Sequence, residues 1–550
     1  MKQSTKLIAL VYVLFVIIKI LLSFSSLTLS IYSDEYIYLK LAQSVSEGSY
    51  SIHGVASNAY PPLYPFIISP AQWITNTQWS YIITKIINVF ISTIIIFPSF
   101  FILKKFLTEK QSVLGASIAA LHPSVFAFTP YIMSENLFYT LVLCTILLMI
   151  NAIKTQKISL HLLTGIALGA VFLTRTLGLL FVPVYIVAQF THMMRGEKRA
   201  IKKHVMNAIM VMCLASILMI SWMAYNLSFS SEKPLGAYTQ EVLPPDIRFL
   251  PQMALWVILY ASVLIISTGI IFPAAVYAFV KNTKTEEGKI LASIIVTALI
   301  MFIIAGANHS IHSNIKSSLT WILGRPIGRY IDALAVPILL TGFIGLIKNE
   351  KNEMMKPLVV CSMLALISIP ILIHFSIGPV NNISLTFFEG LKRTIEGGVA
   401  ETPSFLTLGL ATAIMGGWII SLMMTEKKKM LLTITLIFFI LTSGAAFAGT
   451  YYNTKIWDNH PQIKLSKWIH ENIQQGDTIA IDKTDCKKGD IKKDIRILCD
   501  PEGRSTVIGT VIRNKIVITQ KVEGNYFIST QDINLPKVKE ESGIKVYKNI

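Results

Sequence analysis

Leu7–Leu29 forms an apolar run; Asp34-Glu35-Tyr36 follows it, and the loop beyond closes with Tyr60-Pro61-Pro62-Leu63-Tyr64-Pro65. The run is long enough to cross a hydrocarbon core of roughly 30 Å, so the two adjacent carboxylates fall at the membrane surface. At that depth an acid pair can be partly desolvated while one member stays ionised, the state a general base needs. The same residues also read as an acidic helix cap at the end of a span. Between the acids and the prolines lie a short amphipathic segment (Leu39, Ala42, Val45) and a turn at Gly48.

The rest of the chain continues the pattern of the first span. It has 550 residues, 53% of them hydrophobic, with a mean hydropathy of +0.59, and apolar runs recur from end to end. That composition means a polytopic membrane protein. The formal charge of +18 punctuates the apolar runs and does not gather on a soluble face, so it reads as orientation signals and excludes a nucleic-acid partner. The first span lacks a small-residue cleavage site and exceeds the apolar region of a signal peptide, so it is expected to remain as an anchor.

Lys2 and Lys6 place the N-terminus in the cytoplasm and the Asp34 loop outside. A second span, about Tyr81 to Leu103, returns to Lys104, Lys105 and Lys110; a third runs to about Phe128, and a fourth from Glu135 to Lys154 and Lys157. Ser159–Phe190 as a single helix would put Arg195, Lys198, Arg199, Lys202 and Lys203 outside. Two short spans meeting near Thr174-Arg175-Thr176 put them inside, as do the later basic loops at Lys281, Lys284 and Lys289, at Lys348, Lys351 and Lys356, and at Lys427–Lys429. The count is about 13 spans, with outer loops near 227–251, 308–329 and 377–403 and the C-terminal tail outside.

From about Tyr451 charges become dense and apolar runs fall to strand length. A helix is expected over Pro461–Ile473, then strands at Thr478–Asp482, Ser505–Val511, Lys515–Thr519, Asn525–Ser529 and Ile544–Tyr547. The expected division is therefore a transmembrane domain over 1–450 and a small soluble α/β domain over 451–550. Cys144, Cys213 and Cys361 fall in spans as buried small hydrophobes. Outside, a Cys486–Cys499 disulfide is chemically permitted, though spacing does not reveal whether the α-carbons approach.

The acid pair after the first span, the helix behind it and the Tyr-Pro-Pro-Leu-Tyr-Pro loop end resemble the GT-C membrane glycosyltransferases, in particular the group of glycosyltransferase family 39, protein O-mannosyltransferases and aminoarabinose transferases. As topology the resemblance extends over about the first 450 residues. It implies a GT-C-like, α-helical polytopic fold with a C-terminal extracytoplasmic domain. It assigns Asp34 as the base, with Glu35 positioning the acceptor or tuning its neighbour; successive side chains on a helix point about 100° apart, so the two need not share a proton. Tyr60 and Tyr64 would shape the cleft roof.

Lys85, about one turn into the second span, resembles a phosphate-contacting lysine of the aminoarabinose transferases; snorkelling to the interface is its plain alternative. Arg329 and Tyr330 open the segment Arg329–Pro337, similar to an Arg-Tyr…Pro motif, where guanidinium offers bidentate phosphate contacts or, with the tyrosine, an interface anchor. Arg175 resembles the family's Leu-x-Arg turn and can pair with Glu135 or Asp34; Glu135 resembles a family position and also suits a helix N-terminus. His309 and His312 share an outer loop with Lys316, but no acid or cysteine nearby completes a zinc set. Trp222 and Asn226 resemble a Trp…Asn span exit, and Asn226, Asn308 and Asn382 begin Asn-x-Ser tripeptides on outer loops.

The resemblance implies transfer of a sugar from a polyprenyl-phosphate-linked donor to a protein, lipid or glycan acceptor, outside a cell membrane or in the endoplasmic reticulum of a eukaryote. No cofactor or metal is indicated, since no acidic cluster beyond Asp34-Glu35 would hold a divalent cation. The alternatives are a lipid-linked-sugar or polysaccharide transporter and a ligase that moves whole glycans. Against a transporter stand the lack of an obvious two-half repeat and the gathering of charges at one membrane face.

Overall fold

The computed structural model describes residues 3–24, 33–194, 201–229, 233–236, 249–312, 321–348, 352–373, 381–387, 428–474, 476–487, 494–499 and 506–549. Arg195, Lys198, Arg199, Lys316, Lys351 and Lys427, and the segment between the expected 377–403 loop and Lys427, lie outside these residues.

The helices are α1 (Gln3–Phe24), α2 (Ser33–Ser46), α3 (Leu63–Ile68), α4 (Thr77–Thr93), α5 (Ile96–Leu103), α6 (Glu109–Ala120), α7 (Pro123–Phe126), α8 (Glu135–Thr155), α9 (Ile158–Thr174), α10 (Phe181–Met193) and α11 (Ile201–Leu227). They continue as α12 (Leu250–Thr268), α13 (Ile271–Asn282), α14 (Glu286–His312), α15 (Ala335–Lys348), α16 (Asn352–Ile373), α17 (Lys428–Asp458), α18 (Pro461–Asn472) and α19 (Val507–Val511). Among the described residues eight helical stretches are long and apolar enough to cross a membrane. The chain is an integral, multi-pass membrane protein.

The stretch around Arg175 is broken, as the charge pattern requires. Helix α9 ends at Thr174, Arg175 is extended (φ −151°, ψ 136°), and a single 3-10 turn, Thr176–Leu180, leads into α10. The chain divides into two compact units: the first is Met1–Lys19, Val89–Thr129 and Ser134–Thr450, and the second is Ile20–Asn88, Pro130–Met133 and Tyr451–Ile550. The second unit thus gathers the Asp34 loop and a four-residue segment with the tail.

In the first unit helices meet through small residues, the usual solution where lipid leaves little hydrophobic drive between spans. A Cβ at Gly345 would overlap the carbonyl of Ala275, and one at Gly165 would press on the backbone of Val211, so α15 packs on α13 and α9 on α11 at backbone distance. Faces turned away from other helices stay apolar, as with Leu10, Leu14 and Leu21 on α1. The cysteines do not follow the buried expectation, because their helices also present faces to lipid: Cys213 is exposed, and Cys144 and Cys361 are half-buried.

In the second unit the tail forms a five-stranded sheet with the order β4-β3-β5-β7-β6, where β3 is Thr478–Asp482, β4 Lys515–Thr519, β5 Tyr526–Ser529, β6 Lys537–Glu541 and β7 Ile544–Lys548. β3 pairs in parallel with β4 and β5, and β7 is antiparallel to β5 and β6. Leu465 and Ile469 of α18 close one face over Ile479, Ile481, Ile528 and Val546. A two-residue hairpin, β1 (Ser51–Ile52) with β2 (Val55–Ala56), follows the turn where Gly48 has φ +81°.

The tail departs from expectation at two places. The described part of the expected strand Ser505–Val511, residues 506–511, is not a strand but includes the one-turn helix α19. Val507 clusters with Trp457 and Ile463, and Val511, four residues on, packs against that cluster, a helical spacing that overrides the β-propensity of valine. β6 was not anticipated, because an edge strand reading Lys-Val-Lys-Glu-Glu carries charge where the apolar signal would be. Cys486 and Cys499 are joined in a disulfide, with α-carbons 4.5 Å apart.

Candidate active site

Asp34 and Glu35 occupy the first turn of α2 and are both buried, 8% and 1% exposed. Neither is a solvated cap. The Tyr60 hydroxyl donates to Asp34 Oδ1 at 2.6 Å, and the backbone N–H of Ile132 donates to Glu35 Oε1 at 2.8 Å. The two carboxylates thus turn to different partners, as one helical step dictates.

Tyrosines surround the acid. The Tyr38 ring stacks on Tyr60, with centroids 4.6 Å apart, and meets the edge of Tyr64 at 5.0 Å. Pro62 leads directly into α3, so Tyr60 precedes, and Tyr64 lies in the first turn of, a helix whose entry the prolines fix. Tyr64 donates to Asn88 Oδ1 at 3.0 Å, and Asn88 donates to the carbonyl of Tyr131 at the same distance. Lys85, on α4, is 1% exposed: its ammonium donates to the Ser23 carbonyl at 2.6 Å and lies 4.7 Å from the Tyr81 ring centroid. It does not snorkel to water.

Midway along α2, Lys40 is buried and donates to the carbonyl of Ile512 at 2.8 Å. Burial, and then the charge of Arg513, lowers its pKa to about 8. His53, hydrogen-bonded through Nε2 to the Tyr36 hydroxyl, is pushed down to about 3 by burial and by Lys40, so it is neutral at physiological pH. The same unit holds a cavity of about 490 Å³ lined by Asn76, Gln78, Tyr81, Asp458, Lys467 and His470 among others. Its mixture of amides, charges and the rings of Phe24 and Tyr81 suits a polar ligand such as a sugar.

The first unit holds a second cluster. Glu135 opens α8, is fully buried, and pairs with Arg175 at the break after α9; Arg329 Nη1 lies 3.8 Å from the same Oε1. One carboxylate thus has two guanidiniums beside it, drawn from separate segments of the chain. Tyr330 is buried and stacks on His309 at 4.3 Å, so it is no interface belt residue. Nearby in sequence, buried Asp332 accepts from Ser384 at 2.5 Å. Among the described residues no group of three His, Cys, Asp or Glu side chains could hold a metal ion.

Residues 59–222 match the dolichyl-phosphate-mannose-protein mannosyltransferase family. No curated protein matches the chain. Among solved structures, the ArnT of Cupriavidus metallidurans bound to undecaprenyl phosphate is similar, with a TM-score of 0.59, 10% identity and coverage of 98% of this chain and 98% of that one. The same protein in its apo state gives 0.57, 10%, 98% and 97%. The chain resembles the GT-C membrane glycosyltransferases.

The segment matched by the family model contains Tyr60, Tyr64, Lys85, Glu135 and Arg175, while Asp34, Glu35, Arg329 and Tyr330 lie outside it. The structure brings Asp34, Glu35, Tyr60, Tyr64 and Lys85 into one unit and Glu135, Arg175, Arg329 and Tyr330 into the other. Sequence reasoning missed Tyr38, Asn88 and Asp332. Tyr38 had a usable signal, standing four residues after Asp34 and therefore on the same helix face. The three Asn-x-Ser tripeptides prove internal: Asn226, Asn308 and Asn382 are at most 4% exposed. Asn226 donates to the Pro234 carbonyl, and Asn382 donates to that of Pro326 while accepting from Gly328 N–H. Their amide nitrogens are not presented for glycosylation.

Proposed function

We propose that this protein transfers a sugar from a polyprenyl-phosphate-linked donor to an acceptor hydroxyl on the extracytoplasmic side of the membrane, with Asp34 as the general base. The observation that carries the reading is a buried carboxylate at the start of α2 held by the Tyr60 hydroxyl inside a wall of stacked tyrosines. A donor on a carboxylate favours its charged form, which a base requires. The similarity to a protein crystallised with undecaprenyl phosphate supports the donor class.

In the reaction, Asp34 takes the proton of the acceptor hydroxyl as its oxygen attacks the anomeric carbon. The bond from that carbon to the phosphate oxygen breaks, and the lipid phosphate leaves with the electron pair. One displacement inverts the anomeric centre. Lys85, buried over Tyr81, can meet the charge that develops on a leaving phosphate; in the other unit, the guanidiniums of Arg175 and Arg329 beside Glu135 are a second place where an anion can be met. The 490 Å³ cavity is large and polar enough for the polar part of an acceptor.

The test compares purified wild type with Asp34→Asn against a panel of polyprenyl-phosphate sugars, following release of lipid phosphate. Loss of a general base costs at least about a hundredfold, or about 2.7 kcal/mol of barrier. Equal turnover in both proteins removes Asp34 from the mechanism. No turnover with any donor favours a transporter or a ligase of whole glycans, the transporter being the one that Asp34→Asn leaves unaffected.

A further inference from the structure

A cavity of about 390 Å³ in the first unit is lined by no residue of either cluster. Four helix ends frame it: the C-termini of α13 and α15 and the N-termini of α14 and α16. Phe106 and Phe279 meet edge to face in its wall, with centroids 5.7 Å apart, and the Lys348 ammonium lies 5.7 Å from the Phe106 centroid. Lys284, Asn282 and Thr285 add a cation, an amide and a hydroxyl.

The charges are unbalanced. Glu353, the one acid in the lining, already has Lys281 Nζ 3.8 Å away. Among the described residues no carboxylate pairs with Lys284 or Lys348. The volume is that of a small-ligand site, and the cavity is both cationic and floored by rings.

What distinguishes a lipid from a free anion is the helix beside it. α16 begins at the cavity rim, and Met355, Val359, Met363 and Ile367, four residues apart, are 41%, 46%, 59% and 66% exposed. That stripe runs from the rim along the span. It offers an acyl chain a bed and is of no use to soluble phosphate. Four apolar helices end together at the cavity, among the basic loops, the setting in which anionic lipids bind between spans.

We propose that this cavity binds the phosphodiester headgroup of an anionic diacyl phospholipid, with Lys284 and Lys348 on the phosphate and an acyl chain along the outer face of α16. The inference is independent of the transferase reading.

The test is native mass spectrometry of the full-length protein titrated with phosphatidylglycerol or phosphatidylcholine, for wild type, Lys284→Gln/Lys348→Gln, the corresponding Arg/Arg variant and Lys157→Gln as an exposed control. Phosphatidylglycerol is expected to be retained over phosphatidylcholine, and the Gln/Gln variant to bind it about thirtyfold more weakly, as expected for two lost charges near a membrane surface. Arg/Arg and Lys157→Gln retain it, which separates lost charge from lost folding. Equal retention of both lipids, or undiminished phosphatidylglycerol in the Gln/Gln variant, overturns the proposal. So does glycerophosphoglycerol competing as well as the intact lipid, which would make the ligand a soluble anion.

Discussion

Replacing Glu135 by glutamine keeps the shape of the side chain and removes its charge. In the wild type that charge is fully buried, pairs with Arg175 and has Arg329 Nη1 3.8 Å away. Removing one partner of a buried pair costs about 3–5 kcal/mol, because the remaining charge stays desolvated. Here two guanidiniums lose the same counter-charge, so Glu135→Gln is expected at the upper end, about 5 kcal/mol. Arg175→Met should cost less, roughly 2 kcal/mol, the scale of a charge-assisted hydrogen bond, because Glu135 keeps Arg329. In the double variant Glu135→Gln/Arg175→Met the Glu135–Arg175 pair is lost once and not twice, so the double loss should fall below the sum of the singles by at least about 1 kcal/mol. The assay is denaturant unfolding in detergent, followed by tryptophan fluorescence, for the wild type and three variants. A Glu135→Gln protein within about 1 kcal/mol of wild type, or strict additivity in the double variant, would refute the claim that this carboxylate compensates both arginines.

Three further outcomes are expected. The unfolded chain protonates His53 near pH 6.5 but the folded state only near 3, so the unfolded state binds more protons in that window and stability is lost as pH falls through it; His53→Gln should flatten that part of the curve, read as the thermal midpoint between pH 7 and 5. Cys486 and Cys499 lie 13 apart in sequence, and a loop of about that size restrains the unfolded chain by about 3 kcal/mol, so the double serine variant should expose the tail to protease under conditions that spare the wild type. Glu35→Gln weakens a charged acceptor of the Ile132 N–H and should lower stability by about 1–2 kcal/mol, whereas Asp34→Asn should lower turnover; a Glu35 variant with full stability and no turnover would place Glu35 in the chemistry instead.

Much of the fold was legible because a bilayer turns folding into a problem of segment length. Apolar runs and the lysines between them gave the helices of the first unit, and charge alone located the break at Arg175. Those constraints end at Tyr451. In the tail, Val507–Val511 and Lys537–Glu541 were misread or missed because their conformations are set by neighbours far along the chain: Trp457 for one, and an antiparallel partner that accepts a charged edge for the other. The grouping of residues into units was equally hidden, since Pro130–Met133 joins the second unit through contacts such as Ile132 N–H to Glu35, 97 residues apart.

The site was legible as residue types and not as partnerships. Asp34-Glu35 and the Tyr-Pro-Pro-Leu-Tyr-Pro stretch stood out, yet nothing in the sequence says that the Tyr60 hydroxyl meets Asp34 while a backbone amide meets Glu35. In the proposed reaction that difference accounts for the division of labour. A backbone amide cannot move away without unfolding its segment, so Glu35 is committed to holding Pro130–Met133 against α2. A phenol at the end of a rotatable side chain can yield its place to an acceptor hydroxyl, so in the proposed transfer the proton goes to Asp34 and not to Glu35.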